Sequence, residues 1–266
     1  MAGHRVPRVL PQQDLIDRVR ALCAADDRLD AALTYGSFPQ GRGDEHSDVE
    51  FWLFFAPTAW PGVDPAAWCA EVAPLRHLVV NEFGTHVAFF GGLVRGEFHF
   101  ALSTDIPSVG TWPARGAPVD AMVLVDRGGR LRPVLESLPV APVVDLGADE
   151  AVRMCGRFAN WLLLAHHVEA RGEELRALDA LGHVTRHLLW MARLREGRTE
   201  DWLTPSRAAE STLDTATVAA LHRVAAASTA REGIRAAWRV GREWWPSLTG
   251  EIPAGLFTDL DEVLGG

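Results

Sequence analysis

The spacing of hydrophobic residues changes character once along this chain, and that change limits the folds open to it. Up to about residue 126 the apolar residues come in short runs, rich in aromatic and β-branched side chains and broken by Gly turns, as strands do. Ala31 to Tyr35 runs into Gly36-Ser37, and Asp48 to Phe55 (DVEFWLFF) reads as a buried strand. His77 to Glu82, Thr85 to Phe90 and Leu93 to Leu102 follow, parted by Phe83-Gly84 and Gly91-Gly92. Ala121 to Asp126 ends at the turn Arg127-Gly128-Gly129. Two helices interrupt this half. Residues 14 to 25 carry Leu15, Val19, Leu22 and Cys23 at helical spacing, and Asp64-Pro65 gives an N-cap and first-turn Pro for a helix through about Val72. From Asp149 onward Val152, Cys155, Ala159, Leu162 and Leu163 recur every three or four residues. The same period marks Leu175 to Leu194, Thr215 to Ala227 and Glu232 to Trp245. Pro133 to Gly147, rich in Pro and Val, reads as the linker. The expectation is an α+β chain: residues 1–140 form a mixed β-sheet flanked by helices, and residues 141–266 an α-helical bundle domain. No internal repeat or low-complexity tract breaks this plan.

Charge and composition remove several classes of function. A net charge of −9 argues against nucleic-acid binding through an electropositive surface. No apolar run approaches the roughly 18 to 20 residues of a membrane span, and MAGHRVPRVLPQQ carries neither a long apolar segment nor a cleavage site. A cytoplasmic protein with no membrane partner is the expectation. All 26 cationic side chains are Arg, so any side-chain cation on a phosphate is a guanidinium, and a Lys nucleophile is excluded. Cys23, Cys69 and Cys155 are odd in number and widely spaced. They form neither a disulfide framework nor a zinc pattern, and are expected as buried apolar residues.

The chemistry concentrates in YGSFPQGRGDEHSDVEF, residues 35 to 51: Gly-Ser, ten residues, then Asp-x-Glu at the start of an apolar strand. Residues i and i+2 of a strand share a face, so Asp48 and Glu50 project together. Two close carboxylates repel unless a cation lies between them, and magnesium prefers such oxygen ligands together with substrate phosphates. Gly36 lets the backbone approach a phosphate, and the Ser37 hydroxyl can donate to it. Gly-Ser and Asp-x-Glu are each common. Their combination, with a strand on either side, carries the reading. In Leu93 to Phe100, Glu97 and His99 share a face with Arg95. Glu97 is then placed as a third carboxylate and general base, or simply as an exposed partner of Arg95. His99 is placed to orient a substrate or to act as an alternative base. Phosphoryl transfer needs carboxylates, metal and positioning rather than a covalent nucleophile.

These residues resemble the nucleotidyltransferase superfamily typified by DNA polymerase beta, and within it the lincosamide nucleotidyltransferases. The resemblance rests on YGSFPQGRGDEHSDVEFWLFF at 35–55 and NEFGTHVAFFGGLVRGEFHF at 81–100, and extends more weakly through CGRFANWLLLAHHVEARGE at 155–173. It implies a nucleotidyltransferase domain, a helical domain contributing to the substrate site, and a homodimer. It also implies transfer of AMP from ATP, with Mg2+, to a hydroxyl of a lincosamide antibiotic, which inactivates the drug. Carried over, Asp48 and Glu50 match the metal-binding pair, Glu97 the third carboxylate, and Gly36 and Ser37 the phosphate turn. Arg171 falls in a matching helical segment and would reach the triphosphate. Arg95 and His99 are candidates for substrate contact. The Trp-rich helical half, with Trp161, Trp190, Trp202, Trp238, Trp244 and Trp245, departs from the lincosamide pattern. Alternatives are therefore an aminoglycoside or other metabolite as acceptor, or an antitoxin-like enzyme acting on a protein partner.

Overall fold

The computed structural model describes residues 10–144 and 147–265. The N-terminal stretch before Leu10, and Asp145 and Leu146 of the expected linker, lie outside the described residues. The chain divides into two compact units, one running to Val143 and one from Val144.

The first unit contains α1 (Pro11–Ala25), β1 (Leu29–Tyr35), β2 (Val49–Phe55), α2 (Pro65–Val72), β3 (His77–Val80), β4 (His86–Phe89) and β5 (Arg95–Leu102). After these come a 3-10 segment (Ser103–Thr111), α3 (Val119–Met122), β6 (Val123–Asp126) and α4 (Leu131–Glu136). The six strands form one sheet in the order β3-β4-β5-β2-β1-β6. β2 and β5 pair in parallel, and the other neighbours are antiparallel, so the sheet is mixed as expected. The parallel pair exists because α2, β3 and β4 carry the chain away and back between its strands. Asp64 caps α2 by accepting from the Ala66 and Ala67 amides, with Pro65 opening the helix, as read from the sequence.

The pleat of β2 sorts its side chains. Val49, Phe51, Leu53 and Phe55 enter a core with Val19 and Cys23 of α1, Trp68 and Cys69 of α2, and Phe98 of β5. On the other face, Phe54 joins Ala31 and Leu33 under Ile106, Val109, Leu131 and Leu135. The register of β1 shifts between Leu29 and Ala31, so Leu29 and Ala31 serve opposite faces although they are two residues apart.

Two sequence expectations need correction. The stretch from Pro133 is not linker throughout: α4 spans Leu131–Glu136, and Leu135 and Leu138 are buried in the first unit's core. Pro133 misled because Pro is tolerated in the first turn of a helix, where its missing N–H has no partner to lose. The strand expected from Ala121 begins at Val123, because Val119–Met122 forms one turn of helix first.

The second unit is helical: α5 (Ala148–Ala170), α6 (Glu174–Glu196), α7 (Ala209–Thr212), α8 (Thr215–Ala225), α9 (Ala230–Thr249) and α10 (Ala254–Leu264). Its core includes Phe158, Leu162, Val184, Leu188, Trp238, Trp244, Trp245 and Phe257. Trp161, Trp190 and Trp202 pack against that core only partly buried. Phe158 lies where a Cβ on Gly241 would stand, 2.2 Å from its ring, so α5 and α9 approach closely at a glycine. Asp214 and Thr229 cap α8 and α9.

Candidate active site

β1, β2 and β5 build the site because each presents alternate residues to the same face. Glu50 of β2 stands opposite Glu97 of β5 in the parallel register, and opposite Tyr35 of β1 in the antiparallel one. Trp52, two residues on, stands opposite His99. Toward one end the 3-10 segment and Trp112 cover this face: Trp112 stacks on Trp52 with ring centroids 5.4 Å apart and contacts Tyr35 at 5.6 Å. Toward the other end the acids remain part-exposed, with Asp48 at 35% and Glu97 at 24%.

Arg95 sits between them. Its guanidinium is hydrogen-bonded to Asp48 Oδ2 through Nη1, and Nη2 lies 2.6 Å from Glu97 Oε1. The two carboxylates hold its pKa above the ordinary value despite burial, which works the other way. The pairing of Glu97 with Arg95, one of the two alternatives left open by spacing, is present, and Asp48 shares it.

The turn after β1 reaches Glu50 as closely as chemistry permits. Gly36 has φ +79°, and a Cβ there would fall 1.7 Å from Glu50 Oε2, so only glycine lets this carboxylate lie against the turn. Ser37 follows, buried, and its carbonyl accepts from the Arg42 amide at 2.9 Å, closing the loop that leads toward Asp48. Thr34 Oγ1 donates to the Glu50 carbonyl at 3.0 Å, fixing the strand backbone beside that carboxylate.

His99 is hydrogen-bonded rather than free. Its Nε2 lies 3.0 Å from Tyr35 Oη and 3.4 Å from Thr85 Oγ1. Burial pushes the Tyr35 phenol up from its ordinary value, with Glu97 and Glu50 adding to the shift, and burial pushes His99 down. The phenol therefore stays protonated and the imidazole neutral, and the hydrogen bond between them runs in the direction set by the imidazole tautomer. In this geometry His99 anchors Tyr35 beside the acids.

The first unit thus brings together seven of the eight sequence-nominated residues: Gly36, Ser37, Asp48, Glu50, Arg95, Glu97 and His99. Arg171 is not among them. It is exposed on the second unit, at the C-terminal cap of α5. The donor set bears on the expected metal. Carboxylates at the edge of a half-buried face are the hard oxygen ligands magnesium takes, and the face already gathers a guanidinium. Asp48 and Glu50 fit such an ion by donor type. Among the described residues no group of three or more His, Cys, Asp or Glu side chains is already gathered around a common point, so Asp48, Glu50 and Glu97 do not stand as a preformed cage. Arg95 engages the Glu97 and Asp48 oxygens itself.

Sequence reasoning missed four contributors. Trp52 shares the parity of Asp48 and Glu50, a signal that extending the alternation by one residue would have found, whereas Tyr35 reaches the face from β1 through its pairing opposite Glu50. Trp112 had no local signal. Gln12 of α1 is buried, and its Nε2 donates to the carbonyls of Glu45 (2.9 Å) and Ser47 (3.2 Å), fastening the loop immediately before Asp48.

The chain aligns weakly with several solved structures, among them these two. One is an aminoglycoside 6-adenyltransferase from Bacillus subtilis, at TM-score 0.42 and 11% identity, covering 96% of each chain. The other is a nucleotidyltransferase-like protein from Exiguobacterium sibiricum, at TM-score 0.37 and 13% identity, covering 96% of this chain and 88% of that one. No curated protein sequence matches. Residues 147–262 match the family model described as lincosamide nucleotidyltransferase-like, C-terminal domain. Over residues 147–262, then, this chain is similar to the C-terminal domain of lincosamide nucleotidyltransferase-like proteins.

Proposed function

We propose that this protein transfers a nucleoside monophosphate, AMP from ATP, to a hydroxyl of a lincosamide antibiotic in a magnesium-dependent reaction, and that it works as a homodimer. One observation carries the reading: Glu50 stands opposite Glu97 in the parallel register, with Gly36 shaped around the Glu50 carboxylate, on the part-exposed face that also holds Asp48. The match of residues 147–262 supports the acceptor class.

Asp48 and Glu50 would hold the ion, which supplies charge neutralisation on the triphosphate. Gly36 and Ser37 would seat its phosphates against backbone and hydroxyl donors. Once Arg95 turns from Glu97 toward the incoming phosphates, the Glu97 carboxylate is released to accept the proton of the attacking hydroxyl. The same turn gives the triphosphate a planar cationic fork, the geometry that suits phosphate oxygens. The paired Tyr35 and His99 would border the acceptor, holding its orientation through ring and hydroxyl.

The test is mass spectrometry of purified protein with Mg2+, a mixture of nucleoside triphosphates, and separate panels of lincosamides and aminoglycosides. The expected product is a lincomycin or clindamycin adduct of one AMP, absent without Mg2+. Asp48→Asn and Glu50→Gln should each lower turnover by about a hundredfold or more, the range of lost electrostatic positioning. An adduct confined to aminoglycosides would overturn the acceptor. Full activity of either variant would overturn the metal site.

A further inference from the structure

The second unit contains a cavity of about 490 Å3 between α6, residues 203–206 and α8. Its α6 wall is a single stripe, Leu178, Leu181, Gly182, Thr185, Arg186 and Leu189, at the three- and four-residue spacing that aligns one helix face.

Gly182 is the telling member. Glycine is a poor choice in the interior of a 23-residue helix, and it persists where backbone must stay accessible. A Cβ built on Gly182 meets nothing within 4 Å, so no packing neighbour requires its small size. Its effect is to leave the cavity floor open.

The electrostatics are one-sided. The lining holds no acidic side chain, and its one cation, Arg186, forms no ion pair among the described residues. Thr204 and Ser206 add hydroxyls to the opposite wall, while Leu178, Leu189 and Leu203 supply apolar surface.

That opposite wall is held in place beforehand. Arg193, fully buried, donates to the carbonyls of Pro205 (2.7 Å), Arg198 (3.2 Å) and Arg207, and Trp190 Nε1 donates to the Trp202 carbonyl at 2.8 Å. A buried cation spent on three backbone carbonyls fixes the segment that closes the cavity, and a fixed wall lowers the ordering cost of binding.

We propose that this cavity binds a small amphipathic monoanion, with its apolar body against Leu178, Leu181 and Leu189 over Gly182. Its carboxylate, or an equivalent anion, is taken by Arg186 and the hydroxyls of Thr204 and Ser206. The site is independent of the nucleotidyl transfer proposed above.

Decanoate, below its micellar concentration, is the probe, titrated calorimetrically into the full chain. Saturable binding at one site is expected. Gly182→Met, which fills the open floor, should abolish that binding while leaving the thermal melt unchanged or raised. Arg186→Gln, an exposed change that leaves the helix intact, should weaken it about tenfold or more, as loss of a charge-assisted hydrogen bond does. Absence of saturable binding to the wild type overturns the proposal. So does undiminished affinity in Arg186→Gln, or in a folded Gly182→Met.

Discussion

At Gly36 a left-handed backbone and a neighbouring carboxylate compete for the space a side chain would fill. Gly36→Ala must both adopt φ +79° with a Cβ, costing about 1–2 kcal/mol, and displace the Glu50 carboxylate. The expected outcome is a modest drop in melting temperature together with a loss of transfer of about a hundredfold, since displacement of a positioned group by an ångström costs that much. A variant that keeps full activity would show that Glu50 is not held by this turn. His187 of α6 makes a prediction in the opposite part of the chain. It is 7% exposed, and its Nδ1 donates to the His183 carbonyl at 2.8 Å. Burial pushes its pKa below the ordinary 6.5, only partly opposed by that hydrogen bond. The unfolded chain therefore takes up this proton at a higher pH than the folded one. Its stabilising contribution is complete above about pH 6.5 and is lost as pH falls from there through the lowered folded value. Urea midpoints measured across pH 5 to 7.5 should fall on the acid side, and His187→Gln should flatten that fall.

The elements were legible to different degrees, for physical reasons. The face of β2 was readable because alternation forces Asp48 and Glu50 to one side, and α2 because Asp64-Pro65 is a local start signal. The pairing of β2 with β5 was not, since nothing local encodes which distant strand lies alongside. For the same reason the two-sided grip of Arg95 on Asp48 and Glu97 emerges only from the register. α10 was missed because its Leu256, Phe257, Leu260 and Leu264 follow Gly250 and Pro253, which punctuate the end of α9 so strongly that the chain reads as finished. The segment between α6 and α7 shows how tertiary bonds replace regular structure. Arg193→Met would leave three carbonyls without their donor, and a destabilisation of about 3 kcal/mol is expected in chemical denaturation. A cost below about 1 kcal/mol would mean that this guanidinium does not hold the loop.

Among the described residues, apolar burial falls into three cores: two flank the sheet of the first unit, and one lies among the helices of the second. The helical core is built wholly from residues after 150, so residues 144–266 expressed alone should give a helical circular-dichroism spectrum with one cooperative melt. A featureless melt would show that the helical unit depends on the sheet. The three cysteines belong to these cores. Burial raises each thiol to about 12, so an aromatic disulfide reagent at pH 8 should label the native protein slowly and the unfolded protein rapidly.

The parallel register of β2 and β5 also sets the order of events when the chain is made. Asp48 and Arg95 are 47 residues apart, and their strands cannot meet until the crossover through α2, β3 and β4 has been synthesised and closed. A hairpin partner would have been at hand within a few residues, whereas this pairing waits on the closure of a long loop, the slow kind of contact in folding. Until β5 docks, β2 has one edge without its strand partner. The carboxylate face is therefore among the last things the first unit acquires, and refolding followed at Trp52 and Trp112 should lag behind the gain of helix.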